Sequence, residues 1–273
     1  MQMGILEIAI ILANVVATVI GFKNRAFFDK WIFEIRAVKK DRQWYRLFTA
    51  GFLHVNWQHL LFNMLSFYFF AGSVAREVGS IGFLLIYLGS LLGGNLLALL
   101  FHQGNLQYRS VGASGAVSGV LFAAIALFPG MQLALLFLPI PFPAWAFGIA
   151  FMLYSIYGMR ANRDNIGHEA HLGGAIIGLL IAIFLQPSIA QRNALTIVLI
   201  AVPMLVFLFV LFFKPRLLNM TYGRGNNYQT QDDEYHEQQA AQREELNRIL
   251  EKVNQSGAQS LTTEEKQFLE KYR

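Results

Sequence analysis

Seven apolar runs of close to 20 residues follow one another along this 273-residue chain, and they constrain its fold more than any other feature. About 20 helical residues cross the roughly 30 Å hydrocarbon core of a bilayer. Hydrophobic residues make up 55% of the chain and charged residues 14%, which exceeds the apolar content that a soluble enzyme needs. We therefore predict an all-α, polytopic membrane helix bundle. The predicted spans are residues 4–22, 50–72, 81–101, 111–128, 134–158, 168–186 and 194–213.

The first apolar run is interpreted as a retained anchor helix. No lysine or arginine precedes it, and no small-residue cleavage site follows it, so it does not resemble a removed signal peptide. The chain has no cysteine, which excludes disulfides, thiolate metal sites and a cysteine nucleophile.

Positive charge is concentrated in the membrane part of the chain. Residues 1–213 carry 13 Lys and Arg against 7 Asp and Glu, whereas residues 214–273 carry 9 against 10. Eight of these cations lie between the first two spans, where Phe28, Trp31, Ile32 and Ile35 recur at helical spacing. This pattern predicts a helix lying in the membrane interface against anionic headgroups, and it disfavours nucleic-acid binding.

Residues 214–273 are predicted to form a polar linker and a helical tail. The stretch from about Asp232 to Val253 is helix-prone, and Thr262 with Glu265 fits a capping box that begins a last helix. A small helical hairpin that solubilises or docks the protein is the expected structure.

Polar residues inside spans are expensive and therefore functional candidates. His59 and Asn63 lie four residues apart on one face of the second span, Ser114 begins the fourth, and His171 lies near the start of the sixth. Even-numbered spans all start on the same side of the membrane, so these groups are expected to meet below one surface. We expect His59 to lie ~13 Å below the start of its helix, at ~1.5 Å rise per residue.

Ser114 and His171 together suggest acyl-transfer chemistry. A serine hydroxyl becomes a good nucleophile when a neighbouring imidazole takes its proton. Backbone N–H groups at the helix start, with His59 and Asn63, could then stabilise an oxyanion, because they are donors directed at the developing charge. Glu169 is two residues from His171 and faces away, so the predicted site is a dyad without a carboxylate.

Small residues accompany these groups. Gly112 and Gly115 flank Ser114 closely enough to let a substrate backbone approach, and with Gly119 they form a small-residue face on the fourth span. Gly174 and Gly178 form a second such face on the sixth. Faces of this kind usually mean close helix packing in membranes. Packing alone would explain most of the glycines and would also accommodate Ser114 as a structural residue.

At these residues the sequence resembles the rhomboid family of intramembrane serine proteases. The matching features occur in the family's order across about residues 40–186. They are Trp44 to Arg46, the pair His59 and Asn63, the Gly-x-Ser-Gly motif from Gly112 to Gly115, and Ala170 with His171 followed by Gly174 and Gly178.

The resemblance implies a six-helix rhomboid core over residues 1–190, to which residues 191–213 add a seventh transmembrane helix and residues 214–273 the soluble tail. It implies Ser114 as nucleophile, His171 as general base and acid, and an oxyanion site formed by His59, Asn63 and the Ser114 backbone. The expected reaction is peptide-bond hydrolysis in or near transmembrane segments of membrane-protein substrates, without a cofactor or a metal. A bacterial plasma membrane is the expected location.

Two features depart from the resemblance. Some family members carry a tyrosine one turn after the nucleophile, stacked on the catalytic histidine, where this chain has Ser118. The side of the membrane bearing residues 23–49 also collects most of the lysine and arginine, so the positive-inside rule would place the site toward the cytoplasm, opposite to the family. We expect the family's orientation, with a cytoplasmic N-terminus. A non-proteolytic relative and a proton-conducting transporter are the alternative functions.

Overall fold

A computed structural model of the chain describes residues 3–135, 138–161, 166–214 and 245–270, and it is mostly helical. Contacts divide the chain into two units, Met1–Tyr228 and Gln229–Arg273.

The first unit is built almost entirely of helices. They are α1 Ile5–Lys23, α2 Arg25–Trp31, α3 Ile35–Lys39, α4 Arg46–Thr49, α5 Trp57–Phe101, α6 Ser114–Leu127, α7 Ala144–Ala161, α8 His168–Leu185, α9 Ile189–Arg192 and α10 Ala194–Phe213. Two antiparallel ribbons join β1 Phe33–Glu34 to β2 Arg109–Ser110 and β3 Gln132–Leu135 to β4 Leu138–Pro143. In the described part of the chain, α1, α5, α8 and α10 are long and apolar enough to cross a membrane. The predicted all-α polytopic membrane fold is confirmed.

Helix α5 folds back on itself at Gly79. This residue has φ 73° and ψ 164°, a backbone conformation that is not helical and that glycine adopts without a Cβ clash. The rings of Phe67 and Tyr87 are 5.5 Å apart, whereas 20 residues of straight helix would separate them by ~30 Å. The two halves of α5 therefore form an antiparallel hairpin, at the positions of the second and third predicted spans.

Helix α6 lies in the middle of the first unit. Every residue from Gly115 to Leu127 is buried, as expected for a helix whose sequence is apolar on all faces. Its 14 residues are ~21 Å long, which is shorter than the hydrocarbon core of a bilayer. The side chain of Asn193 donates to the Ala126 carbonyl oxygen at 2.8 Å and so satisfies the end of the helix.

Helices α6 and α8 contact each other backbone to backbone. A methyl group on Gly174 would overlap the carbonyl oxygen of Gly115, and one on Gly178 would overlap that of Gly119. The predicted close packing of the two small-residue faces is therefore confirmed. The two pairs are four residues apart in each helix and run in the same order, so α6 and α8 are parallel and their first turns are neighbours.

The sequence-based boundaries are wrong in three places. The second span is predicted to begin at residue 50, whereas α5 begins at Trp57. The first ten residues predicted for the span 134–158 include strand β4, and α7 begins only at Ala144, because the prolines at 139, 141 and 143 lack backbone N–H groups and disfavour helix in the preceding residue. The predicted interfacial helix is also interrupted. Ile32 is extended between α2 and β1, and Phe28 and Ile35 are buried in the protein.

The second unit contains helical residues 245–256, here α11, and α12 Thr263–Glu270. The Glu265 backbone N–H donates to Thr262 Oγ1 at 3.2 Å, and the Thr262 N–H donates to Glu265 Oε2 at 2.8 Å, which confirms the predicted capping box. Arg248 and Lys252 of α11 also donate to Glu265. Residues 215–244 lie outside the described residues. They include most of the predicted linker and the part of the helix-prone stretch from residue 232 to residue 244.

Candidate functional site

The site begins at the N-terminus of α5. Asn56 is the N-cap, and its side chain accepts a hydrogen bond of 2.8 Å from the His59 backbone N–H. His59 is therefore in the first turn, and the prediction that it lies ~13 Å below the helix start is wrong. The reason is that residues 46–52 form α4 and a 3-10 turn instead of the first turns of the span.

The chain approaches Ser114 through a constrained turn. Gly112 has φ 127°, which disfavours any residue with a Cβ, and a methyl group at Gly112 would lie 2.7 Å from the ring of His59. Its backbone N–H donates to the Ala50 carbonyl oxygen at 3.0 Å. The segment before Ser114 therefore packs directly on the His59 imidazole. This brings together two of the predicted site residues, Gly112 and His59.

Ser114 and His171 begin two neighbouring helices. Ser114 is the first residue of α6, and His171 is the fourth of α8. The residues next to them are in contact, since a methyl group on Gly115 would lie 3.1 Å from the Ala170 carbonyl oxygen. Both side chains are half-buried, so the interior of the bundle does not seal them off.

Asn63 lies one turn below His59, as predicted. Its Nδ2 donates to the His59 carbonyl oxygen at 3.0 Å, and the residue is 6% exposed. An amide nitrogen carries two hydrogens, so this bond leaves a second N–H available to a group bound beside His59.

The ring of His171 lies against an aromatic residue that the sequence did not indicate. Phe151 of α7 is 5.6 Å from it between ring centroids, at an interplanar angle of 30°. Phe151 in turn lies 6.0 Å from Phe122 of α6. The aromatic contact expected from position 118 in some family members is therefore made from another helix, and no spacing in the sequence could have identified it.

His54 connects α1 to the turn before Ser114. Its Nδ1 is 3.0 Å from Thr18 Oγ1, and its Nε2 accepts from the Ala113 backbone N–H at 3.4 Å. Because Nε2 accepts, the proton is on Nδ1 and the ring is in one tautomer. His54 is fully buried and helps to fix the backbone immediately before Ser114.

Glu169 points away from His171, as the sequence predicted, and its carboxylate lies against His102 and Tyr108. Among the described residues there is no group of three His, Asp or Glu side chains that could hold a metal ion.

Comparisons with known proteins place the site within a recognised domain. A family model described as "Rhomboid domain" matches residues 41–188, more than half of the chain, and a family of unknown function matches residues 229–273. The chain is 33% identical over 156 residues to RHOMBOID-like protein 12, mitochondrial, of Arabidopsis thaliana, a match that covers 52% of this chain and 46% of the relative.

Two further relatives cover a similar share of the chain. Rhomboid protein 1, mitochondrial, of Saccharomyces cerevisiae is 30% identical over 147 residues, 53% of this chain and 42% of the relative. Rhomboid protease GluP of Bacillus subtilis is 33% identical over 140 residues, 51% of this chain and 26% of the relative. The chain spans less than half the length of each of these relatives.

Proposed function

The chain belongs to the rhomboid family, and from that premise we propose that it is an intramembrane serine endopeptidase that hydrolyses peptide bonds in or near transmembrane segments of membrane-protein substrates. The observation that carries this proposal is the direct contact between the first turns of α6 and α8. Ser114 is in the first of these turns and His171 in the second. The name of the Bacillus subtilis relative, a rhomboid protease, also supports a hydrolase.

Acylation is the first half of the proposed reaction. The Ser114 hydroxyl oxygen attacks the carbonyl carbon of the substrate while a ring nitrogen of His171 takes its proton. The tetrahedral intermediate then collapses, the C–N bond breaks, and His171 gives the proton to the leaving amine. In the second half, water attacks the acyl-enzyme with His171 again as base, and the carboxylic acid leaves Ser114 restored.

The developing oxyanion is assigned to the start of α6. Backbone N–H groups in the first turn of a helix have no intrahelical acceptor, and the helix dipole places positive charge there. His59 packs on Gly112, two residues before Ser114, and Asn63 lies one turn below His59 with a second amide hydrogen available. We assign these groups to transition-state stabilisation and the glycines 112 and 115 to close approach of the substrate.

The short length of α6 fits a reaction that needs water inside a membrane. Because α6 is ~21 Å long, its first residue can lie below the membrane surface while its last residue reaches the other side. Non-helical backbone at that depth is tolerated where it is covered by protein or lines a wet cavity, and the turn at Gly112 packs on His59.

A fluorophosphonate probe tests the dyad. We expect the detergent-solubilised wild type to be labelled and Ser114→Ala and His171→Ala to lose labelling, because both the nucleophile and its base are needed. Ser118→Ala, one helical turn further along α6, is the matched control and should label like the wild type. Equal labelling of wild type and Ser114→Ala would reject the nucleophile and favour a non-proteolytic function.

The oxyanion assignment is tested with Asn63→Ala. We expect cleavage of a model transmembrane substrate to slow by ~10 to 1000-fold, because one hydrogen-bond donor to the developing oxyanion is lost. Expression and thermal stability should change little, because the Asn63 amide bonds only to its own helix among the contacts described. Turnover equal to that of the wild type would remove Asn63 from the site.

The protein is an integral membrane protein, and its membrane and orientation stay predictions. The relatives from Arabidopsis and yeast are named mitochondrial, so a bacterial plasma membrane has no support from the comparisons. Membrane-protein substrates are proposed on the basis of the family alone.

A further inference from the structure

A buried polar cluster lies beside the candidate site and has no part in the proposed reaction. Glu169, in the first turn of α8, is only 4% exposed. Its Oε1 accepts a hydrogen bond from the Tyr108 hydroxyl and lies 2.8 Å from His102 Nε2. The rings of His102 and Tyr108 stack, with centroids 3.6 Å apart and an interplanar angle of 12°. A buried carboxylate without partners would be very costly, so these contacts hold Glu169 in one place.

Tyr108 is itself fixed by the backbone around it. Its carbonyl oxygen accepts from the Ile35 N–H at 3.1 Å, and its ring lies edge-on to Phe33, 6.3 Å between centroids. The next two residues form β2, which pairs with β1. From β2 the chain continues through the turn at Gly112 to Ser114, so Tyr108 belongs to the segment that delivers the nucleophile.

The Tyr108–Glu169 hydrogen bond therefore joins the two parts of the site. On one side is the segment that leads to Ser114, and on the other is the helical turn that carries His171. The glycine contact between α6 and α8 limits how close the two helices come, whereas a rotation of the first turn of α8 would have to break the bond at Glu169.

We propose that Glu169 and Tyr108 are positioning residues, which set the orientation of His171 toward Ser114 by fixing the first turn of α8 to the segment before the nucleophile. The inference rests on the proposed Ser114–His171 dyad. Neither residue touches the substrate in this proposal, so their loss lowers the rate of the chemical step and leaves substrate binding unchanged.

Tyr108→Phe is the decisive variant, because it removes a single oxygen atom and keeps the ring stacked on His102. The matched control is Tyr87→Phe, which removes the same atom from a fully buried tyrosine whose hydroxyl is bonded by Asn14 at 3.3 Å. Both variants should lower the melting temperature, Tyr108→Phe by more than Tyr87→Phe because its hydroxyl donates to a carboxylate. Only Tyr108→Phe should lower the second-order rate constant of fluorophosphonate labelling, by ~10 to 100-fold, as expected for a small misplacement of reacting groups.

Variants of Glu169 give a graded second measurement. Glu169→Gln keeps an oxygen that can accept from Tyr108, whereas Glu169→Leu keeps only the volume. We expect labelling to fall in the order wild type, Glu169→Gln, Glu169→Leu. With a model transmembrane substrate, kcat per folded enzyme should fall in that order while KM stays constant. A loss of folded enzyme would also lower the apparent kcat, so the concentration of folded protein is measured for each variant by size-exclusion chromatography.

The outcomes separate this inference from the function on which it rests. If wild-type labelling depends on Ser114 but Tyr108→Phe labels at the wild-type rate, or no slower than Tyr87→Phe, the positioning role is overturned and the dyad stands. If the wild type is not labelled, or Ser114→Ala is labelled equally, the proposed function fails and the positioning role fails with it.

Discussion

In the membrane unit α6 and α8 meet backbone to backbone at glycines, whereas in the tail α11 and α12 are joined by charged side chains. The first contact has no flexible group at its centre, since Gly115 and Gly119 face Gly174 and Gly178. The second depends on the long side chains of Arg248 and Lys252 reaching Glu265. Each pair suits its surroundings. Lipid supplies no hydrophobic driving force that would join two apolar helices, so close van der Waals contact holds them together. Charged side chains on a polar tail can form ion pairs, each of which is weak where water surrounds it.

Only the contact between backbones fixes a distance precisely. A site formed from two helices needs its reacting groups placed to within a fraction of an ångström. Contact between two backbones fixes a distance that rotamer changes cannot relax, and the proposed nucleophile and base are both within one turn of that contact. The tail contacts can rearrange in many ways, which makes them suitable for a solubilising or docking role and unsuitable for chemistry.

The largest effect is expected for Gly174→Val. The new side chain would overlap the Gly115 carbonyl oxygen, and neither backbone can move without separating α6 from α8. Overpacking typically costs ~1 to 3 kcal/mol and occasionally more. Because the clash here is with backbone, we expect a cost at the upper end and little or no monodisperse protein in size-exclusion chromatography. Gly148→Ala is the control. Its methyl group would meet the end of the Ile125 side chain at 3.0 Å, which can turn away, so this variant should purify normally. A well-folded Gly174→Val protein would contradict the rigid-contact interpretation.

A smaller effect is expected for Phe151→Leu, because this contact with α8 is made by a side chain. Loss of the ring frees the His171 imidazole on the side facing α7, and we expect labelling by a fluorophosphonate to slow by ~3 to 10-fold. Phe151→Tyr keeps the ring and should label nearly as fast as the wild type. Equal rates for Phe151→Leu and the wild type would mean that the imidazole is oriented without this contact.

The membrane spans could be predicted from sequence because apolar length is a local property. All seven predicted runs contain helix in the described structure, and the small-residue faces correctly indicated that α6 and α8 pack closely. The helix starts could not be placed from hydropathy. Helix α5 begins seven residues after the predicted residue 50, and α7 begins ten residues after the predicted residue 134. The signals for these starts were Asn56 as a cap and the prolines at 139, 141 and 143.

The contacts that orient the candidate site could not be predicted at all. Tyr108 and Glu169 are 61 residues apart, and Phe151 approaches His171 from a helix whose sequence shows only a generally apolar pattern. Such contacts depend on how complete helices pack. A glutamate two residues before His171 was a visible signal, since a carboxylate in an apolar span needs a partner, but its partner could not be named from the sequence.

The smallest effect is expected in the tail, and it should depend on pH. Hydrogen bonds from Lys252, the Thr262 backbone N–H and Arg248 lower the pKa of Glu265 to about 2, from a usual value of 4.5. Because the folded tail has the lower pKa, the stability contributed by Glu265 is fully present above pH 4.5 and is lost as the pH falls toward 2. Amide hydrogen exchange of residues 245–270 in the full-length protein, corrected for the intrinsic exchange rate, should therefore accelerate across this window. Glu265→Gln should exchange faster at pH 7 and lose most of the pH dependence, while Glu264→Gln, at an exposed position one residue earlier, should behave like the wild type. If Glu265→Gln and Glu264→Gln exchange at the same rate, apolar contacts hold α11 and α12 together. The two helix pairs would then differ only in whether backbones or side chains pack, and charge would not contribute to the difference.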